Sequence, residues 1–237
     1  MIDDALLTLA LSPVLIPQGA YTKKVTPKLP EPEGSREGVS GRGERLRVLI
    51  LGDSAAAGVG VDSQGEALSG QLVSKLSKHR QVEWRLHAET GLNTAEMIAR
   101  LHALEAFETD VVITSLGVND VTGGTRLKHW LEQQRELKQL LQEKFLARHI
   151  FLTSVPPMHE FPALPQPLRW FLGRRSRFMN HALDQHASDD KDLAFVKVQF
   201  PMQKKFFASD GFHPSAQAYS MWSEVLLEYF KERRLLS

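Results

Sequence analysis

The chain has 237 residues, 42% hydrophobic and 24% charged, which is the composition of an ordinary folded protein. That length fits one large domain, or a domain of about 190 residues with an extension, and either can bury a self-sufficient core. The 29 lysines and arginines against 28 acids leave a net charge of +1 and no electrostatic case for nucleic acid, and the absence of cysteine excludes disulfides, thiolate metal sites and thiol catalysis.

Residues 1–16 are apolar but open with Asp3 and Asp4, where a secretory signal carries positive charge. No apolar run reaches the roughly 20 residues of a membrane helix. The segment is therefore expected to belong to the folded protein or to form an interfacial arm, with the cytoplasm as default location. Its Leu6, Leu7, Leu9, Leu11, Val14, Leu15 and Ile16 suit packing across the domain, against a second copy in a homo-oligomer, or near a membrane surface. Pro13, Pro17, Pro27, Pro30 and Pro32, then Gly34, Gly38, Gly41 and Gly43, predict an extended chain rather than a helix or central strand. The expected division is an arm over 1–45 and a domain over 46–237.

Regular structure begins at 46–51, a short apolar strand ending in Gly-Asp-Ser. A helix over 66–78 follows, with Leu68, Leu72 and Leu76 on one face, then an alternating strand over 82–88. The stretch 94–104 reads as a helix capped by Thr94, 110–116 as a buried strand, and 127–146 as a long amphipathic helix. A strand over 149–155 stops at Pro156 and Pro157, followed by a helix over 168–187, a strand over 193–198 and a closing helix over 215–234. Strands alternating with helices predict a five-stranded parallel sheet in a three-layer α/β/α sandwich, flavodoxin-like, with strand order 2-1-3-4-5. In such sheets sites form beyond the carboxyl ends of the strands.

Candidate chemistry falls at those ends. Ser54 in Gly52-Asp53-Ser54 stands at a strand-to-helix turn, where a hydroxyl can be presented beside free amides, although a helix cap alone would also explain it. The Gly-x-Ser-x-Gly elbow and the phosphate-cradling loop are both missing. Gly91 after the second strand can turn its amide into a site, or be a turn glycine. Asn119 after the third is a neutral donor suited to an oxyanion, or a turn stabiliser. Asp210 precedes His213 by three residues, a spacing that lets the carboxylate meet one ring nitrogen and leaves the other for Ser54. Together they supply a nucleophile, a base, an orienting acid and oxyanion donors, the parts of acyl transfer to water. No HExxH metal motif is present, and the basic cluster Arg174, Arg175 and Arg177 reads as a solvated helix face.

These blocks resemble the SGNH/GDSL hydrolase (esterase/lipase) superfamily, through Ser54 in GDSAAAG, Gly91 in TGLNT, Asn119 in GVND and His213 in DGFHP. The likeness spans about 46–230, with Ala55 where the family usually has leucine and some fifty extra residues before the serine. It implies a triad of Ser54, Asp210 and His213, and an oxyanion hole of Ser54, Gly91 and Asn119. It implies hydrolysis of carboxylic esters with no cofactor; short- to medium-chain acyl or acetyl esters are the expected substrates, and no metal is expected. Asp53, Asp120, Phe161 and Phe212 are candidate substrate contacts. The proline-rich 156–167 segment, joined by Trp170 and Phe171, is expected to wall the acyl side. Thioesterase or lysophospholipase activity, a binding protein on the same fold, and a phosphate- or nucleotide-binding protein are the alternatives.

Overall fold

The computed structural model describes residues 4–199, 201 and 203–236. Residues 1–3, with the Asp3 of the signal-segment reading, lie outside the described residues. The elements in chain order are α1 (Asp4–Val25), β1 (Glu37–Ser40), β2 (Arg45–Gly52), α2 (Ser54–Ala57), α3 (Leu68–Leu76), β3 (Gln81–Ala88), α4 (Thr94–Ala103), β4 (Val111–Ser115), α5 (Val118–Gly123), α6 (Leu127–Phe145), β5 (His149–Thr153), α7 (Leu168–Ser188), β6 (Leu193–Val196) and α8 (Ala216–Glu232).

The sheet order is β1-β3-β2-β4-β5-β6. The five strands read from the sequence pair in parallel in the expected order. A sixth, β1, adds antiparallel to β3 from within the region read as an arm. Its sequence, Glu-Gly-Val-Ser, has neither length nor apolar alternation, so only its partner strand defines it.

Period-two alternation sends successive side chains into two cores. Leu49, Leu51, Val112, Ile150, Leu152 and Leu193 pack with α4, α6 and α7. Val48, Ile50, Val111, Ile113, Phe151, Ala194 and Val196 pack with α3 and α8. Both faces are covered, as a parallel sheet requires.

The extended arm expected over the proline-rich start is corrected by α1, a 22-residue helix that contains Pro13 and Pro17. A proline at 13 cannot donate to the carbonyl of Leu9. The Ser12 hydroxyl donates to that carbonyl instead, at 2.8 Å. Leu7, Leu11 and Leu15, four residues apart, pack into the core under α7, so tertiary burial overrides a poor local propensity. Gln18 clamps the start of α7, donating to the Gln166 carbonyl at 2.6 Å and accepting from the Leu168 amide at 3.0 Å. Leu6, Leu9 and Ile16 face outward. No helix among the described residues is long and apolar enough to cross a membrane.

The N-cap of α4 is also shifted from expectation. Asn93, not Thr94, caps the helix in a reciprocal box with Glu96. Thr94 is fully buried and serves a different purpose. Its hydroxyl donates to Asp120 at 2.8 Å and accepts from Trp130 Nε1 at 3.1 Å and Gln134 Nε2 at 3.3 Å. This buried junction joins the starts of α4, α5 and α6, and holds the turn that carries Asn119. Removing a partner from a buried polar group costs about 1–3 kcal/mol, and more for a charged one. Thr94→Val is therefore expected to lower unfolding stability by about 2–4 kcal/mol in urea titrations at pH 7, whereas Thr122→Val at an exposed hydroxyl changes it by less than about 0.5 kcal/mol. Equal small losses in both would refute the junction's structural weight.

Candidate active site

Gly52 is the last residue of β2, paired with Ala88 of β3 on one side and Ser115 of β4 on the other. A Cβ at Gly52 would lie 2.5 Å from both the Ser115 carbonyl oxygen and the Ala56 Cβ, so only glycine lets the chain turn here. Asp53 then caps the short α2, its Oδ1 accepting from the Ala55 amide at 3.1 Å, and Ser54 opens the helix.

His213 comes from the opposite end of the sequence. Ala208 N donates to the His213 carbonyl at 2.8 Å, and Phe207 bridges to Pro214, closing a tight loop before α8. Inside it, Asp210 Oδ1 accepts from the amides of Phe212 at 2.9 Å and His213 at 3.0 Å, while Oδ2 meets His213 Nδ1 at 2.5 Å. The other ring nitrogen, Nε2, lies 2.9 Å from Ser54 Oγ. Burial by itself would push the Asp210 carboxyl up; the bonds from the His213 ring and the two amides outweigh it and hold the group below the ordinary carboxylate range.

Asn119 ties two further turns together. Its Nδ2 donates to the Leu92 carbonyl at 2.9 Å, beside Gly91, and reaches Asp53 Oδ2 at 3.4 Å, beside Ser54. Gly91 has φ +94°, and a Cβ added there would meet nothing within 4 Å, so conformation rather than space requires glycine.

A cavity of about 70 Å³ opens beside Ser54 and His213. Asp53, Pro156, Pro157, Phe161 and Phe212 line it. Phe161 meets the Phe212 ring edge-on at 5.0 Å and the Phe207 ring at 5.8 Å, forming an aromatic wall. Several expectations are corrected. Asp120 is 1% exposed and spent on Thr94, so it is no substrate contact. Trp170 is exposed on α7 and Phe171 packs in the core; neither lines the cavity. Met158 and Leu164 of the proline-rich segment are likewise core residues. Within the basic cluster read as a solvated helix face, Arg175 is half-buried and donates to the Thr125 carbonyl at 2.6 Å. Ser115, Thr153, Val198, Phe206 and Trp222 line the cavity without any sequence signal, because each is an ordinary strand, loop or helix residue until the tertiary fold gathers them.

Asp53 is the electrostatic oddity. Burial pushes its carboxyl up to about 7, against the Ala55 amide and the nearby His213, which favour the charged form. A raised carboxyl pKa gives stability that is complete below the unfolded value of 3.8 and is lost as pH rises through about 7. The loss is up to about 4 kcal/mol, at 1.36 kcal/mol per pKa unit. Urea melts of Asp53→Asn should accordingly show less stability lost between pH 4 and pH 8 than wild type by a few kcal/mol; parallel curves would mean that Asp53 is ionised throughout.

Residues 50–221 match the GDSL-like Lipase/Acylhydrolase family. The GDSL-like esterase Rv1075c of Mycobacterium tuberculosis is 22% identical over 236 residues, covering 90% of this chain and 74% of that protein. Among solved structures, the lipase Lip_vut3 from a goat rumen metagenome aligns with a TM-score of 0.62 at 18% identity, over 77% of this chain and 96% of that one. A Clostridium thermocellum family 3 carbohydrate esterase aligns with a TM-score of 0.62 at 16% identity, over 82% and 100%. These structures share the fold, and the family match extends from β2 into α8, across every turn described above. The chain belongs to the GDSL-like lipase/acylhydrolase family.

Proposed function

We propose that the protein is a serine esterase that hydrolyses carboxylic esters through an acyl-enzyme on Ser54. The observation that carries this reading is the continuous line Ser54 Oγ, His213 Nε2, His213 Nδ1 and Asp210 Oδ2, with separations of 2.9 Å and 2.5 Å across its two hydrogen bonds. His213 takes the hydroxyl proton as Ser54 Oγ bonds to the ester carbonyl carbon. Asp210 stabilises the imidazolium without itself taking the proton. The imidazolium then protonates the departing alcohol, and water repeats the sequence on the acyl-enzyme.

Charge on the carbonyl oxygen needs donors that are already in place. The amides of Ser54 and Gly91 and the Asn119 side chain are the candidates. Asn119 holds one hydrogen on Leu92 at 2.9 Å, whereas the other reaches Asp53 only at 3.4 Å, so that second hydrogen is the one free to turn to an oxyanion. The neighbouring cavity limits the acyl group. Its 70 Å³ is about half of the roughly 150 Å³ that admits benzene, which suits acyl chains of about two to four carbons. The relative named as an esterase supports ester hydrolysis as the reaction.

Ser54→Ala is expected to abolish turnover of p-nitrophenyl acetate and labelling by a fluorophosphonate, while wild type is labelled on Ser54. Labelling at another residue would overturn the assignment. Asn119→Ala should keep the fold and the label but lower kcat by about 10²–10³-fold, the usual loss for one oxyanion donor. Wild-type kcat in that variant would remove Asn119 from the mechanism.

A further inference from the structure

The cavity beside Ser54 has an apolar side and a polar side. On β5, Ile150 and Leu152 enter the core under α4, α6 and α7, while Phe151 enters the core under α3 and α8. Thr153 follows Phe151 by two residues, so its side chain turns toward α8. By the same parity Ser115 follows Ile113 to that side. Trp222 of α8 packs there, and all three residues line the cavity opposite the aromatic wall of Phe161 and Phe212.

Thr153 and Trp222 are each 4% exposed. Among the described residues, neither Thr153 Oγ1 nor Trp222 Nε1 has a hydrogen-bond partner. Two neighbouring hydroxyls are paired. Tyr219, on the same helix, donates to the Val59 carbonyl at 2.8 Å, and Ser154 Oγ accepts from Val198 N at 3.1 Å. Buried polar groups are nearly always paired, and an unpaired one destabilises the fold. Two of them on one wall of the cavity that holds the nucleophile call for a partner supplied by a bound molecule. An indole N–H only donates, whereas a threonine hydroxyl donates and accepts. The complementary group is therefore an oxygen that accepts from Trp222 and shares a hydrogen bond with Thr153.

We infer that the enzyme selects esters whose short acyl group carries an oxygen, a hydroxyacyl or ketoacyl group of about three or four carbons, with Trp222 and Thr153 as its specificity residues. The inference rests on Ser54 as the nucleophile. The acyl side is assigned because the acyl group stays bonded to Ser54 after the alcohol leaves, in the cavity that Ser54 itself lines.

The test compares kcat/KM for p-nitrophenyl 3-hydroxybutyrate and p-nitrophenyl butyrate, and, in an alcohol arm, for 3-hydroxybutyl acetate and butyl acetate. Wild type is expected to favour the hydroxylated acyl ester by about tenfold, the scale of one buried hydrogen bond, with no preference in the alcohol arm. Trp222→Phe and Thr153→Val, assayed separately, should each bring the acyl ratio toward one, and Trp170→Phe on the exposed side of α7 should leave it as in wild type. A flat acyl ratio in wild type, a ratio unmoved in both variants, or a preference confined to the alcohol arm overturns the inference. Fluorophosphonate labelling of Ser54 verifies each variant's site, and if one variant fails to fold the other decides. Loss of labelling and turnover on every ester in wild type would overturn the esterase reading as well, whereas a labelled, active enzyme with a flat ratio would overturn only the specificity.

Discussion

Gly52 sits in the sheet between Ala88 and Ser115, and β2, β3 and β4 all end at that level. Parallel pairing in this register makes three separate turns leave the sheet side by side, carrying Ser54, Gly91 and Asn119. Everything else in the site depends on that shared edge. The close approach of Gly52 to Ser115 and Ala56 leaves no room for a side chain, so the register and the glycine support one another. Asn119 then closes the edge by bonding to Leu92 and reaching Asp53.

The second half of the candidate triad is built differently. Asp210 and His213 lie three residues apart, and a single carboxylate organises the loop by taking two amides and the ring. That unit is local, so its internal geometry does not depend on the sheet. Only its delivery to Ser54 does, through the Phe207–Pro214 bridge and the packing of α8 against α3 and β6. The two acids Asp210 and Asp53 behave in opposite ways for a physical reason. Asp210 gathers donors that favour its charge, whereas Asp53 is buried with few, and its proton is held to about neutrality.

α1 shows where local rules mislead. Two prolines argue against a helix, yet the Ser12 hydroxyl covers the carbonyl that Pro13 leaves open, and burial of Leu7, Leu11 and Leu15 stabilises the rest. Gln18 fastens the helix to Gln166 and Leu168, at the end of the segment whose Pro156, Pro157 and Phe161 wall the cavity. α1 thus braces the wall of the pocket, across nearly 150 positions of sequence.

Sequence alone determined the five parallel strands, their order, the covering helices and the pairing of Asp210 with His213. Each of those rests on a short-range pattern: apolar alternation, helical spacing, or an interval of three residues. Strand ends in such a sheet also gather Ser54, Gly91 and Asn119 without further information. The tertiary structure decided what no short interval encodes. It made a helix of a proline-containing segment, added β1 by pairing alone, took Asp120 out of the pocket to serve Thr94, and brought Thr153 and Trp222 to one cavity wall. In each case the deciding contact, burial or, for β1, backbone pairing, is with residues far away in the chain, and it exists only once the sheet and its two helical layers have closed.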